Sequence, residues 1–288
     1  MAELTQVESH FRFGQNWAAL AREIDQSRIG QALNDLARLL GRDRLDGLRF
    51  LDIGSGSGIH SLAALRMGAH VTATDIDADS VATTHSLLSR FAPGARWTAE
   101  LRSIFDLTPQ NIGRFDIVYS WGVLHHTGAM LDAIRSATAL VDGDGCFCVA
   151  LYGRTSLCGF WRWEKRFYSR APERVQRALQ GIYVAAYWAV QSARATLRSR
   201  RFSLREHADR YLQNRGMDFY TDVHDWLGGY PYESVTPDQV RSYMHELGFA
   251  EQRSFVQPGR RHGLLGWGCD EYVFMRTGSS AQFAAKAK

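Results

Sequence analysis

Apolar residues follow two alternating periods along the first half of the chain, and this alternation predicts an α/β fold. Short apolar runs typical of buried strands lie at Leu48–Ile53 and in the segments HVTATDI, FDIVYSW and CFCVALY. Between them, apolar residues recur every three or four positions in SLAALRMG, SVATTHSLLSRF and MLDAIRSATALV, as they do on one face of a helix. Strands that alternate with helices predict a doubly wound parallel sheet covered on both faces.

The two ends of the chain are predicted to extend this sheet. Helical spacing over residues 5–40 predicts two helices that end at Gly41. Thr236 and Pro237 are typical of a helix start, so a helix is expected over 237–247. The strand candidates FAEQRSFVQ and DEYVFMRT follow it, and they predict a final antiparallel pair.

Between the two parts of the sheet lies a segment of different composition. From 154 to 215 the chain holds 14 Lys+Arg and 4 Asp+Glu, although the whole chain carries a net charge of only +4. The segment is rich in Trp and Tyr and helical in period, so it is interpreted as a helical cap. The predicted units are therefore an N-terminal helical segment, a ligand-binding core, the cap, the end of the core and a disordered tail, at 1–47, 48–153, 154–233, 234–276 and 277–288.

Residues 178–197 of this cap carry one charge, Arg194, and are flanked by arginines. Two interpretations stay open: a buried cap helix, or a helix that lies on an anionic membrane surface through 178–201. The longest apolar run, IYVAAYWAV, is too short to cross a bilayer.

Composition excludes several classes of protein. With 288 residues, 45% hydrophobic and 22% charged, the chain is expected to be globular and ordered. Its four cysteines form no C-x-x-C pair, so neither a zinc site nor a disulfide framework is expected, and no other metal is predicted. The N-terminus lacks the apolar run of a signal peptide, so a cytoplasmic protein is expected, with peripheral contact to the inner face of the membrane as an open option.

A glycine loop follows the first predicted strand and opens a helix. Gly54, Gly56 and Gly58 form either a tight turn or a cradle in which backbone approaches a ligand. Asp75 ends the next strand 21 positions after Gly54, where such folds place a carboxylate on the ribose of a nucleoside ligand. The glycines do not fit a nicotinamide site. Asp52 would repel a pyrophosphate but attract an ammonium or sulfonium group, which favours S-adenosylmethionine.

The motifs LDIGSGSG, TATDID and FDIVYSWGVLHHT, in this order, resemble those of class I S-adenosylmethionine-dependent methyltransferases. GVLHHT is similar to the small-molecule branch that includes quinone-precursor methyltransferases. The resemblance implies a Rossmann-like sheet of seven strands and S-adenosyl-L-homocysteine as a product.

The resemblance also implies roles for individual residues. Those expected to contact the methionine half are Asp52, Gly54, Gly56 and Gly58. Asp75 would hold the ribose and Ile76 would pack on the adenine. Ser103 and Ile104 would lie near the adenine, and Ser103 departs from the family, which usually has an acid there. Those expected to border the methionine and the transferable methyl group are Ser120, Trp121 and Gly122.

Two further sets of residues are candidates for acceptor chemistry. His125 and His126 follow the fourth strand, where one of them would act as a general base or both would be structural. The residues expected to line the acceptor are Tyr152, Arg154, Trp161, Trp163, Lys165 and Arg166. The tryptophans have the alternative of forming the core of the cap, and Tyr230 would either line the site or pin the cap to the core.

The preferred function is therefore methyl transfer to a small acceptor that is anionic and partly aromatic or lipid-like. The alternative is an RNA methyltransferase that uses the Arg-rich cap as a clamp, although FDIVYSWGV lacks the Asn/Asp-Pro-Pro-Tyr of base-methylating enzymes. A nicotinamide oxidoreductase and a non-catalytic protein are less favoured. The sequence leaves open the acceptor, the methylated atom and the oligomeric state.

Overall fold

A computed structural model describes residues 21, 24–199, 201–215, 218–256 and 268–278. In this part of the chain seven strands form: β1 Arg49–Ile53, β2 His70–Asp75, β3 Trp97–Leu101, β4 Phe115–Trp121, β5 Val141–Tyr152, β6 Phe249–Phe255 and β7 Cys269–Arg276. Its α-helices are α1 Gln26–Leu40, α2 Ile59–Arg66, α3 Ala78–Phe91, α4 Met130–Ala139, α5 Cys158–Arg170, α6 Glu173–Thr196, α7 Leu204–Arg215, α8 Phe219–Gly228 and α9 Pro237–Glu246.

The seven strands belong to one sheet, in the order β3-β2-β1-β4-β5-β7-β6. The first five are parallel, and β7 lies antiparallel to both β5 and β6. This confirms the predicted doubly wound sheet with its final antiparallel pair. The strand order reverses between β1 and β4, and in such sheets ligands bind at the carboxyl ends of the strands beside this point.

Both faces of the central strands β1 and β4 are buried, which is why these strands are apolar at successive positions. Phe50 and Leu51 are neighbours in β1, and each is 0% exposed. They lie in different apolar clusters: that of Phe50 includes Leu36 of α1, whereas that of Leu51 includes Ile134 of α4. Adjacent strand residues point to opposite faces, so helices must cover both sides.

The cap has an apolar cluster of its own, formed by Trp161, Tyr168, Phe219, Val223, Trp226, Leu227 and Tyr232. Helix α5 turns Trp161, Lys165 and Tyr168 inward, at the spacing of one helix face. The cap joins the core just beyond β5, where the Arg154 N–H donates to the carbonyl of Val235 at 2.9 Å. It therefore stands over the carboxyl ends of the strands.

The interpretation of residues 178–197 as a buried helix is wrong. They lie in α6, which contains no buried residue, and Ile182 is 65% exposed. Tyr183 and Tyr187 pack on the cap cluster, but no second layer of the described residues covers the outer side of this helix. Within the described part of the chain, no helix is long and apolar enough to cross a membrane.

Three elements differ from the elements and bounds that the sequence predicts. Strand β3 is absent from the predicted elements, because its residues are at most half-buried and WTAEL lacks a continuous apolar run. Strand β5 begins at Val141, five residues before CFCVALY, and its pairing with β4 is irregular near Phe115. Helix α9 ends one residue early, at Glu246. Of the region 5–40 predicted as two helices, the part before residue 24 except residue 21 lies outside the described residues, as does most of the tail.

Candidate cofactor and acceptor site

The glycine loop lies at the carboxyl end of β1, in the crevice where the strand order reverses. Gly54, Gly56 and Gly58 have φ angles of +76°, +54° and +77°, a region that side chains disfavour. A Cβ atom at Gly54 would come within 2.5 Å of the Val123 side chain. Glycine is therefore required here both for the backbone angle and for the close approach of the turn after β4.

Asp75 lies at the end of β2 and holds this loop. Its carboxylate accepts hydrogen bonds from the N–H of Gly56 at 3.0 Å and from the N–H of Asp77 at 2.9 Å. Burial raises the pKa of Asp75 to about 6, against the lowering effect of the two backbone donors. The carboxylate can accept a further hydrogen bond, because each of its oxygens accepts up to two.

Asp52 is buried beneath the loop. Its side chain accepts a hydrogen bond of 2.6 Å from the Ser61 hydroxyl of α2. Burial raises the pKa of Asp52 to about 7, and the nearby Asp75 carboxylate adds to that rise. Near neutral pH the carboxyl group is thus poised between its two forms, and a positively charged ligand would favour the ionised one.

The other cofactor candidates lie along the same edge but in different surroundings. Ile76 is half-buried, and Ser103 accepts the N–H of Phe105 at 3.3 Å as the cap of a one-turn 3-10 helix. The Ile104 side chain lies in the apolar cluster under the sheet. The Ser120 hydroxyl donates to the carbonyl of Ile53, so it ties β4 to β1 directly below the loop.

The two histidines occupy unequal positions on a one-turn 3-10 helix after β4. His125 is 0% exposed, its Nδ1 accepts the Tyr152 N–H at 3.3 Å, and burial lowers its pKa well below the usual value. His126 is half-buried and its Nδ1 lies 2.7 Å from the carbonyl oxygen of Pro231. Because a carbonyl only accepts, Nδ1 of His126 carries the proton, and the neutral ring has its lone pair on Nε2.

The acceptor candidates divide between site and cap core. The Tyr152 ring lies against His125 with centroids 3.8 Å apart and a tilt of 34°, and its centroid is 5.6 Å from that of Trp226. Trp161 is buried in the cap cluster, as the alternative interpretation stated. The Arg154 guanidinium donates to the carbonyl of Ser234 at 3.1 Å. Tyr230 is half-buried, one residue before the Pro231 that holds His126.

Sequence reasoning missed Glu271, which comes from the far end of the chain. It pairs with Ala150 at the carboxyl end of β5. Its carboxylate accepts from Trp121 Nε1 at 2.8 Å and from the Arg38 guanidinium at 2.7 Å. Only the pairing of β7 with β5 brings Glu271 to Trp121, and no local motif signals it.

Trp163 and Arg166, which the sequence also predicts as acceptor residues, are exposed on α5, whereas Lys165 lies inside the cap. Its side chain is 0% exposed, it donates to the Trp226 carbonyl, and its Nζ lies 3.6 Å from the centroid of the Trp226 ring. Burial lowers its pKa. Burial thus disfavours the charged form of Lys165, whose Nζ also lies 5.5 Å from the centroid of the Tyr232 ring.

The fold and the site together resemble those of one class of protein. A seven-stranded sheet of this order, with a glycine loop after β1 and a carboxylate at the end of β2, is similar to that of class I S-adenosylmethionine-dependent methyltransferases. Residues 51–147 match the family described as a methyltransferase domain. The resemblance of LDIGSGSG and the motifs after it is thereby confirmed.

Curated relatives match the same region. A ubiquinone biosynthesis O-methyltransferase of Xanthomonas campestris pv. campestris (strain B100) is 35% identical over 116 residues, which are 40% of this chain and 47% of the relative. One from Caulobacter sp. (strain K31) is 34% identical over 118 residues, which are 40% of this chain and 45% of the relative. The chain thus spans about half the length of these relatives.

Solved structures extend the likeness of fold to most of the chain. The magnesium protoporphyrin IX methyltransferase from Synechocystis PCC 6803 with bound SAH has a TM-score of 0.51 at 17% identity, over 89% of this chain and 86% of that one. A cyclopropane synthase from Mycobacterium tuberculosis has a TM-score of 0.51 at 13% identity, over 84% and 83%. Among the described residues, no cluster of His, Cys, Asp and Glu could hold a metal ion.

Proposed function

We propose that the chain binds S-adenosylmethionine at the junction of β1, β2 and β4 and transfers its methyl group to a small-molecule acceptor. The observation that carries this proposal is the glycine loop held by Asp75 at the point where the strand order reverses. S-adenosylmethionine supplies an electrophilic methyl group. The matches of residues 51–147 to methyltransferases support the reaction.

The residues at this edge fit such a cofactor. The loop keeps its backbone exposed to a ligand, because it has no side chain at Gly54, Gly56 or Gly58. Asp75 offers lone pairs to ribose hydroxyls, and Asp52 places a carboxyl group below the loop, where it favours a cationic methionine moiety. Trp121, 38% exposed at the end of β4, covers the position expected for the methyl group.

The acceptor proposed is partly apolar and anionic. Tyr152, Trp226 and Tyr232 form an aromatic wall between the sheet edge and the cap, which suits a flat or greasy molecule. Arg154 at the border of this wall supplies positive charge. The curated relatives are O-methyltransferases, which favours a hydroxyl as the group methylated. Nothing in these relatives supports the RNA alternative.

His126 is the proposed proton acceptor of the two histidines. Its Nε2 lone pair is on a half-buried ring, fixed in direction by the Pro231 carbonyl. His125 is sealed in the interior, and protonation there is disfavoured by burial. A hydroxyl acceptor loses its proton to a base within hydrogen-bond reach as its oxygen bonds to the methyl carbon.

The four cysteines of the chain are free thiols, which supports a reducing compartment, and we place the reaction in the cytoplasm.

Isothermal titration with S-adenosylmethionine, S-adenosylhomocysteine and NADH tests the cofactor assignment. Asp75→Ala removes charge-assisted hydrogen bonds worth roughly 1.5–3 kcal/mol each, so the Kd for S-adenosylmethionine should rise about a hundredfold or more. Asp79 is an exposed acid in the first turn of α3, the helix that follows Asp75. Asp79→Ala is therefore the control and should bind S-adenosylmethionine normally. Binding of NADH without S-adenosylmethionine would overturn the proposal.

The acidity of Asp75 gives the same site a pH signature. Its pKa of about 6 means that the carboxyl gains a proton as the pH falls through 6, and a protonated carboxyl accepts fewer hydrogen bonds. The contribution of Asp75 to the Kd for S-adenosylmethionine should therefore be constant above about pH 6, and the Kd should rise below that pH. Titrations of Asp75→Asn should lack this step.

A further inference from the structure

The outer side of α5 carries an exposed row of aromatic rings. Phe160, Trp163 and Phe167 are 51%, 64% and 49% exposed. They follow one side of the helix, opposite to the inward residues Trp161 and Tyr168, and Trp163 stacks on Phe167 with centroids 6.0 Å apart. Three large exposed aromatics in contact are unusual on a soluble surface and mark a binding surface.

This row opens into a groove between α5 and the start of α6. The groove has a volume of about 430 Å³ and is lined by Trp163, Arg166, Phe167, Arg170, Ala171, Pro172 and Val175. Ile182, 65% exposed, lies two turns beyond Val175 on the same side of α6. The apolar surface therefore continues from α5 along the long helix that the cap leaves uncovered.

The charges beside this surface are positive. Arg166 and Arg170 are exposed, line the groove, and have no carboxylate partner among the described residues. Of the nearby acids, Glu164 is half-buried and Glu173 is paired with Arg177. An aromatic row bordered by these two arginines complements a surface that is apolar inside and anionic outside.

We propose that the surface formed by Phe160, Trp163, Arg166, Phe167, Arg170 and Val175 docks the protein on an anionic phospholipid membrane. The aromatic rings enter the headgroup region, where Trp is favoured, and the two arginines bind lipid phosphates. The site is distinct from the residues 178–201 that the sequence indicated, since the aromatic row belongs to α5. Docking needs neither cofactor nor turnover, so it stands or falls apart from the proposed methyl transfer.

Flotation of the full chain with phosphatidylcholine vesicles, with and without phosphatidylglycerol, tests the docking. The protein should float with the anionic vesicles only. Arg166→Gln with Arg170→Gln should lower the partition coefficient about thirtyfold, because a basic residue near an anionic surface contributes about 1 kcal/mol. Arg90→Gln with Arg96→Gln, two exposed arginines near the β3 edge, removes the same charge and should float normally.

The aromatic row has its own test. Trp163→Ser with Phe167→Ser should abolish flotation while circular dichroism and thermal unfolding stay normal, since both side chains are largely exposed. Leu131→Ser, at a residue 46% exposed on α4, is the matched control. Three results would overturn the proposal: no flotation of the wild type, equal loss in the controls, or a concentration-dependent dimer that the Trp163 and Phe167 changes dissolve without any lipid binding.

Discussion

Among single residues, the buried carboxyl groups under the glycine loop link the proposed cofactor site to stability. Asp52 is 3% exposed and hydrogen-bonded by one hydroxyl, so its ionised form is poorly solvated. Its pKa of about 7 lies far above the ordinary value of 3.8. A site that needs an ionised carboxylate for a cationic ligand thus destabilises the free protein, a known trade-off at functional sites.

Asp52→Asn should reveal this cost. A carboxyl whose folded pKa is raised favours folding most at low pH, and that contribution is lost as the pH rises from about 4 to about 7. The free energy of unfolding of the variant should therefore exceed that of the wild type at about pH 8 and match it near pH 4. Urea unfolding at both values measures the difference, whose upper limit is about 1.4 kcal/mol per pH unit between the two pKa values.

The same variant should also affect cofactor binding. Asp52→Asn should bind S-adenosylmethionine more weakly than the wild type at about pH 8, because it lacks the carboxylate that favours a cationic ligand. A variant that is neither more stable nor weaker in binding at that pH would contradict the role given to Asp52.

His125 and His126 are expected to respond differently to replacement. His126→Gln should lower kcat by roughly 10²–10⁴-fold at nearly unchanged cofactor Kd, if the acceptor is a hydroxyl that needs a base. His125→Ala should instead lower the thermal stability, because it removes a buried ring that lies against Tyr152 and leaves the Tyr152 N–H without its acceptor. Steady-state kinetics and thermal unfolding of both variants separate the roles, and near-normal turnover of His126→Gln would show that both histidines are structural.

Among the strands and helices, the antiparallel pairing of β7 with β5 delivers a side chain to the site. The Glu271 carboxylate accepts a hydrogen bond from Nε1 of Trp121 and so orients the indole, and it is itself paired with Arg38 of α1. Strand pairing fixes the register to single residues, and a slip by one would turn Glu271 to the other face. We therefore regard Glu271 as a positioning residue for Trp121.

Glu271→Gln should lower kcat/KM through a looser Trp121, while the Kd for S-adenosylmethionine changes little. The Trp121 indole should also become more mobile. Its fluorescence anisotropy, isolated by comparison with Trp121→Phe, should therefore fall. Arg38→Gln tests the chain of contacts, with a smaller effect, because Arg38 is 43% exposed and such pairs contribute about 0–1 kcal/mol. Unaltered kinetics in Glu271→Gln would show that Glu271 does not act by orienting Trp121.

In the molecule as a whole, the cap and the sheet have separate apolar clusters, joined at the edge where the reaction is proposed. The cap cluster includes Phe219 and Tyr168, whereas Phe147 lies in one of the two clusters of the sheet. Separate clusters allow one part to open while the other stays folded. This arrangement would admit an acceptor without disturbing the cofactor.

Phe219→Ala should therefore uncouple the two parts. Phe219 is 0% exposed, and loss of a buried ring costs about 3–5 kcal/mol, enough to loosen a small cluster. Hydrogen exchange should rise across 158–228, methyl transfer should fall and binding of S-adenosylmethionine should persist. Phe147→Ala is the matched control, for which exchange should rise in the sheet and cofactor binding should fail. Loss of cofactor binding in Phe219→Ala would show that cap and sheet unfold together.

The class of fold and the cofactor edge could be predicted from the sequence, because both are encoded locally. Strands buried on both faces must be apolar throughout, and the glycine loop and the acid one strand later both lie between Leu51 and Asp75. Such local signals need no knowledge of distant parts of the chain. The alternation of strands and helices along the chain also predicted that the first strands of the sheet are parallel.

Roles that depend on distant contacts could be assigned only from the folded chain. Folding places Asp52 in the interior, separates His125 from His126 in exposure, and brings Glu271 to Trp121 across 150 positions of sequence. It also leaves α6 covered on one side alone, since hydropathy reports how apolar a helix is but not what packs against it. Burial, pKa and contact are properties of neighbours in space, and the tertiary structure sets those neighbours.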